Sequence, residues 1–124
     1  MLTCIVRKTI IQQLKKFMIT VETFRQMALS LPDAIELPHF DRASFRINKR
    51  IFATLDEKKK IAVLMFSPLQ QSVFCSFDKS IIYPVPGGWG RQGCTIFELS
   101  KMKKTMMKDA LTVVYKEVLN KKKK

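Results

Sequence analysis

Glycine is scarce in this sequence, and the absence of a G-x-x-x-x-G-K pattern excludes a phosphate-binding loop of the nucleotide-hydrolase type. All four glycines lie between positions 83 and 93, together with two prolines and the only tryptophan. Because prolines lack a backbone donor and glycines permit unusual angles, we expect a shaped loop, neither helix nor central strand. The residues that we expect to set the shape of this loop are Pro84, Pro86, Gly87, Gly88 and Gly90.

Cysteine is also rare, and its spacing excludes the common frameworks. The three cysteines, Cys4, Cys75 and Cys94, are odd in number and include no C-x-x-C pair. This argues against a disulfide scaffold and a structural zinc site, even with His39 as a further ligand, and it favours reduced thiols in a bacterial-type cytoplasm. We therefore expect no metal and no cofactor.

Long apolar runs are missing, so no segment predicts a membrane span. Residues 1–19 contain four cations, no acidic residue and apolar positions at helical spacing. They are either a basic amphipathic helix for a membrane surface or a partner, or an upstream extension outside the fold, since Met18 would serve equally well as a start. The sequence leaves both open, and we divide the chain into an extension (1–19), one domain (20–120) and a lysine tail (121–124).

Acidic residues are few, and the excess of cations is unevenly distributed. The formal charge is +13, and removing the four cations near the N-terminus and the four terminal lysines leaves 13 − 8 = +5 for the body. Within the body, cations cluster at Arg42, Arg46, Lys49 and Arg50 and again at Lys58, Lys59 and Lys60. Such clusters indicate a polyanionic partner.

Hydrophobic periodicity places these clusters on a predicted α+β fold. Thr20 caps a helix over residues 21–31, and segments 43–47, 51–55 and 61–66 form an antiparallel meander whose turns carry lysine, like a basic wing. Ser67 and Pro68 start a short helix to about residue 77, and segments 81–85 and 94–99 form a second hairpin around the glycine loop. A last helix over residues 101–119 combines an apolar stripe with a lysine face, consisting of Lys101, Lys104, Lys108 and Lys116. The sheet is thus flanked by N- and C-terminal helices, with a short helix between two hairpins.

Four motifs occur in an order that resembles the MmcQ/YjbR family of small bacterial proteins. They are Leu31-Pro32-Asp33-Ala34, Pro38-His39-Phe40, Ser44-Phe45-Arg46-Ile47 and Tyr83-Pro84-Val85-Pro86-Gly87-Gly88-Trp89-Gly90. The resemblance covers about residues 20–119 and implies a compact domain with an antiparallel sheet, related to the frataxin-like fold, and a double-wing mode of DNA binding. Asn48 departs from the family's usual turn glycine, and Cys94 from its usual bulky aromatic residue.

Each candidate binding residue has a competing structural interpretation. The wing cations bind phosphates, or they protect an edge strand from aggregation. Trp89 and Arg91 contact a base or a groove, or Trp89 folds back as a lid over the core. His39 is expected to be structural, held in a loop before the first strand; a catalytic set with Asp41 and Cys94 lacks any recognised spacing.

The sequence therefore predicts a non-enzymatic, cytoplasmic protein that binds nucleic acid, with duplex DNA as the expected form and with little sequence specificity. Its nucleic-acid-binding residues are predicted to be Arg42, Arg46, Lys49, Arg50, Lys58, Lys59, Lys60, Trp89 and Arg91, supported by the lysine face of the last helix. The alternative function is a small-ligand or protein-binding module with a pocket at His39, Trp89 and Arg91.

Overall fold

The computed structural model describes the backbone of residues 19–122 and the side chains of residues 19–120. Residues 1–18 of the predicted extension and the side chains of the lysine tail lie outside the described residues. The described elements are, in chain order, α1 (Val21–Leu29), β1 (Ile35–His39), β2 (Arg42–Ile47), β3 (Arg50–Asp56), β4 (Ile61–Met65), α2 (Pro68–Cys75), β5 (Ile82–Pro84), α3 (Gly88–Arg91), β6 (Cys94–Glu98), a 3₁₀ turn (Leu99–Lys101) and α4 (Lys104–Lys122). The α+β prediction is confirmed.

The strands form one antiparallel sheet in the order β1-β2-β3-β4-β6-β5. The predicted meander is present as β2, β3 and β4, and the predicted second hairpin as β5 and β6. The strand β1 is not among the predicted strands, the first of which begins at residue 43. It pairs with β2 along its whole length, from Ile35 opposite Arg46 to His39 opposite Arg42. His39 therefore ends a strand, and its prediction as a loop residue is wrong.

Among the described elements, the helices α1, α2 and α4 pack on one face of the sheet. Alternation along the strands sends Phe45, Leu55 and Leu64 to this face, where they form a single core with the apolar sides of α1 and α4. Phe24 of α1 meets the ring of Phe45 edge-on, with centroids 5.5 Å apart. The predicted apolar stripe of the last helix is confirmed in this core, through Met107, Ala110, Leu111, Val114 and Val118.

Two helix starts are set by side-chain caps that the sequence predicts. The hydroxyl of Thr20 accepts a hydrogen bond from the backbone N–H of Thr23, and that of Ser67 accepts one from the N–H of Gln70. The last helix differs: it begins at Lys104, because residues Leu99–Lys101 close a separate 3₁₀ turn. No helix in the described part of the chain is long and apolar enough to cross a bilayer.

The opposite face, called the second face below, carries the side chains that alternate with the core residues. Cross-strand partners there include Ser44 with Thr54 and Thr54 with Val63. These three are buried, yet they do not belong to the core cluster. Ser44 and Arg46 thus point away from the core, and Arg46 lies over the hydroxyl of Ser44, to which its Nε donates a hydrogen bond of 3.0 Å.

The glycine segment contains a helical turn, α3, which the sequence prediction had excluded. Its N-cap, Gly87, has φ 85° and ψ −154°, a conformation open in practice only to glycine. The backbone N–H groups of Arg91 and Gln92 donate to the carbonyls of Gly87 and Gly88, closing the turn. A single turn of four residues forms here although glycine has a low helix propensity, because the summed cost over so few residues is small.

Candidate nucleic-acid interface

The wing cations lie on interior strands and their turns. Because β1 covers β2, and β3 lies between β2 and β4, neither β2 nor β3 is an edge of the sheet. The alternative interpretation of these cations as edge protection is therefore wrong, since that mechanism concerns unpaired strands.

These cations follow the β2–β3 hairpin from one end to the other. Lys49 and Arg50 lie at the β2–β3 turn, and Lys58, Lys59 and Lys60 at the β3–β4 turn, which is at the opposite end of β3. Six residue steps separate Arg50 from Asp56, or about 20 Å at the usual rise of a strand. Arg42 and Arg46 project from the second face between the two turns. We call the whole set the cationic band: Arg42, Arg46, Lys49, Arg50, Lys58, Lys59 and Lys60.

The cationic band is largely without acidic partners. Among the described residues, its one ion pair joins Arg42 to Asp56, with nitrogen and oxygen 3.8 Å apart. The carboxylate of Asp56 also accepts from the backbone N–H groups of Lys58 and Lys59, so it orders the lysine turn itself. A band of this kind is available to an external polyanion.

Three of the ten acidic residues are instead gathered around Arg25, which the sequence did not single out. Its guanidinium is bonded to the carboxylates of Glu22, Glu36 and Glu57. The hydrogen bond that Arg25 donates to the carboxylate of Glu57 is the largest cause that raises the pKa of Arg25, and desolvation opposes it. The i,i+3 spacing of Glu22 and Arg25 was the only signal of this cluster in the sequence. A depression of about 590 Å³ surrounds it and is lined by both charges, so it offers no uniform site for an anion.

The glycine loop is held by close backbone approaches. A Cβ on Gly90 would stand 1.8 Å from the carbonyl oxygen of Val85, and one on Gly93 would stand 1.8 Å from that of Phe66. Gln71 of α2, which the sequence did not predict as a site residue, donates from its amide to the carbonyls of Gly90 and Cys94 at 2.8 and 3.1 Å. The loop is therefore fixed against α2 and against Phe66, which follows β4.

This fixed loop presents its two notable side chains to solvent. The indole of Trp89 is 68% exposed, so the interpretation of Trp89 as a lid over the core is wrong. Arg91 is also exposed, and within residues 19–120 it forms no ion pair. Both side chains lie at the end of the sheet that carries the β2–β3 turn, since the loop joins β5 to the start of β6.

A depression of about 410 Å³ on the second face joins the glycine loop to the β1–β2 turn. We call it the aromatic depression; its lining consists of His39, Phe40, Asp41, Arg42, Thr54, Val63, Met65, Val85, Trp89 and Cys94. It brings together His39 and Trp89 of the predicted pocket and Arg42 of the predicted cations. It does not include Arg91, the lysine turn or Lys49.

The aromatic depression also contains the residues of the catalytic set that spacing did not support, His39, Asp41 and Cys94. Their contacts are structural: the His39 ring packs edge-on against Phe40, with centroids 4.8 Å apart, and the Cys94 thiol donates to the Met65 sulfur. Within the described residues, no group of three His, Cys, Asp or Glu side chains is placed to hold a metal ion.

Phe40 is the functional candidate that the sequence reasoning missed. It forms the β1–β2 turn with Asp41, has φ 61° and is 94% exposed. Positive φ is uncommon for a bulky residue, and glycine is the usual choice at the first position of such a turn. The sequence signal was the P-H-F-D segment itself, in which a large aromatic residue stands between two strands and no glycine is present.

Comparison with solved structures supports the fold. The crystal structure of Deinococcus radiodurans protein DR2400, which contains a DUF419 domain, superposes with a TM-score of 0.64 over 79% of this chain and 77% of that chain, at 16% identity. DUF419 lies in the MmcQ/YjbR-like superfamily. No family model matches the sequence, and no curated protein does. At this identity the likeness shows the fold alone.

Proposed function

We propose that this protein is a member of the MmcQ/YjbR family that binds DNA with little sequence specificity. The observation that carries the proposal is the cationic band, seven positive side chains on an interior hairpin with one long ion pair among them. Its setting is the cytoplasm, where DNA is available and thiols stay reduced. We assign it no catalytic activity.

Binding in this proposal is dominated by phosphate contacts. The turns around Lys49 and Lys59 lie about 20 Å apart, so the two ends of the band reach separate phosphates along a backbone, while Arg42 and Arg46 face it from the sheet. Lysine and arginine contacts to phosphate fix position without reading base identity, which explains the low specificity. The exposed Arg91 extends the positive surface from the glycine loop.

The lysine face of α4 has a different place in this proposal. Because α4 packs on the helical face of the sheet, its exposed lysines point away from the second face and from the band's two arginines. Lys104, Lys108 and Lys116 are exposed and form no ion pair within residues 19–120. Changing these three lysines therefore alters the net charge as much as changing Lys58, Lys59 and Lys60, but away from the cationic band, and so provides a matched control.

The test compares two triple variants of the full chain that change charge equally. Binding to a fluorescently labelled duplex is measured by anisotropy over a series of salt concentrations. We expect Lys58→Glu/Lys59→Glu/Lys60→Glu to weaken binding at least tenfold and to reduce the slope of log affinity against log salt, at about 0.9 per lost phosphate contact. The variant Lys104→Glu/Lys108→Glu/Lys116→Glu should lose much less.

Two results would overturn the proposal. One is affinity for the duplex that does not change between low and physiological salt, since phosphate neutralisation releases counterions. The other is equal loss in the two variants, which would mean that overall charge, with no dedicated surface, attracts the duplex.

A second candidate function is a small-ligand or protein-binding module, and the aromatic depression favours it. His39 and Trp89 line one concave site, as that alternative requires, although Arg91 does not. Fluorescence of Trp89 distinguishes the two, because a small ligand would change it without any dependence on Lys58, Lys59 and Lys60.

A further inference from the structure

We infer that the aromatic depression holds an unpaired base, so that the protein prefers single-stranded DNA to duplex. This inference rests on the proposed DNA binding and specifies its substrate. It comes from Phe40 and Trp89, two exposed rings on either side of one concave site, and not from the charge that supports the proposal itself.

Phe40 is held exposed in a turn conformation that glycine would adopt at lower cost. Its left-handed backbone costs about 1 kcal/mol or more relative to glycine, and its ring is 94% exposed, so core packing does not compensate. Among the side chains that the structure describes, its one ring contact is with the neighbouring His39. A strained, solvent-facing aromatic residue in a turn is explained by a ligand that covers it.

Trp89 stands on a loop whose backbone is fixed by close contacts with its neighbours. The approaches of Gly90 and Gly93 to neighbouring carbonyls, and the amide of Gln71, fix the backbone on which the indole stands. The indole is exposed at the rim of the depression, where an inserted base would cover it. Stacking on such a ring tolerates any base, in agreement with low sequence specificity.

The interior of the depression suits a base better than a purely apolar ligand. Its volume of about 410 Å³ is in the range of small-ligand sites. The side chains of His39, Asp41 and Thr54 line it and offer hydrogen-bonding groups for a base edge. Arg42, which also lines it, belongs to the cationic band, so a strand whose base enters here has its phosphate beside a cation.

Duplex DNA does not satisfy this site, because its bases are stacked and paired and reach a pocket only after extrusion, at a cost of a few kcal/mol. A single strand avoids that cost. The band then provides salt-dependent affinity for either form, and the depression adds affinity for unpaired bases alone.

The test separates bases from backbone. Anisotropy is measured with a labelled 12-nucleotide thymidine strand, a strand of equal length and charge made of abasic sites, and a duplex. We expect wild type to bind the thymidine strand about 5- to 150-fold more tightly than the abasic one, the range for stacking of one base. Phe40→Ala and Trp89→Ala should lose this difference while binding the abasic strand normally, and Phe40→Tyr should keep it.

Phe77→Ala is the matched control, since Phe77 is a 63% exposed ring that does not line the depression. It should behave as wild type. Equal affinity of wild type for the thymidine and abasic strands would overturn this inference and leave the proposed DNA binding intact. A thymidine preference that persists in both alanine variants would have the same meaning. Quenching of Trp89 by a mononucleotide with no added affinity for strands would assign the depression to a small ligand. Failure to bind all three nucleic acids at low salt would overturn the proposed function as well.

Discussion

Replacing Lys49 by glycine should make the protein more stable. Lys49 follows Asn48 in the two-residue β2–β3 turn, and the two residues have φ 73° and φ 52°. Positive φ at both positions is the pattern of a type I′ turn, in which Asn-Gly is strongly preferred. Lys49 is exposed, so the substitution removes no packing.

The expected gain follows from two opposing terms. Relief of left-handed strain contributes about 1–2 kcal/mol, and the greater freedom of glycine in the unfolded chain costs about 0.5–1 kcal/mol. Lys49→Gly should therefore raise the free energy of unfolding by about 0.5–1 kcal/mol, a shift of roughly 2–4 °C in Tm.

The assay is chemical and thermal unfolding of wild type, Lys49→Gly and Lys49→Ala. Lys49→Ala is the control, because it removes the same charge and keeps a Cβ in the strained conformation. If Lys49→Gly is no more stable than Lys49→Ala, the assignment of strain to this turn is refuted. In the DNA assay both variants should weaken binding equally, by the one lost cation, so that stability and affinity move in opposite directions in the glycine variant.

Two further predictions concern the glycine loop and the acidic cluster. Gly90→Ala should lower the free energy of unfolding by about 2 kcal/mol or more, because the new Cβ clashes with the carbonyl of Val85. Gly88→Ala should be nearly neutral, because its Cβ would meet only the guanidinium of Arg91 at 3.8 Å. Equal melting temperatures of the two variants would contradict the close approach at Gly90. Arg25→Gln should cost about 1–2 kcal/mol because it leaves three carboxylates unneutralised, and less at high salt, which screens exposed charges. A loss of stability in denaturant melts that is the same at low and high salt would refute that electrostatic origin.

The sequence predicted the elements whose signals are local. Caps at Thr20 and Ser67 and the apolar stripe of α4 are each specified within a few residues, and the three-strand meander follows from period-two alternation. The strand β1 was missed since Pro38 and two charged or polar neighbours interrupt its alternation, and because an edge strand with half-exposed side chains has little apolar signal.

The candidate site was predicted only in part. The cations and the exposed loop were found because charge clusters and glycine-proline segments are visible in sequence. The aromatic depression was not predicted, since it is formed by the β1–β2 turn, the centre of the sheet and the glycine loop, and the turn and the loop are more than forty residues apart along the chain. Phe40 in particular has no periodic or charge signal, and its backbone angle and its exposure identify it.

The position of β1 and β5 at the two borders of the sheet has a consequence for self-association. Each border strand contains a proline, Pro38 in β1 and Pro84 in β5, and β5 is only three residues long. A proline offers no N–H to an incoming chain, so neither border provides the unbroken ladder that fibril-like stacking requires. In a protein that concentrates positive charge along its central hairpin, the two borders of the sheet thus discourage side-by-side joining of copies.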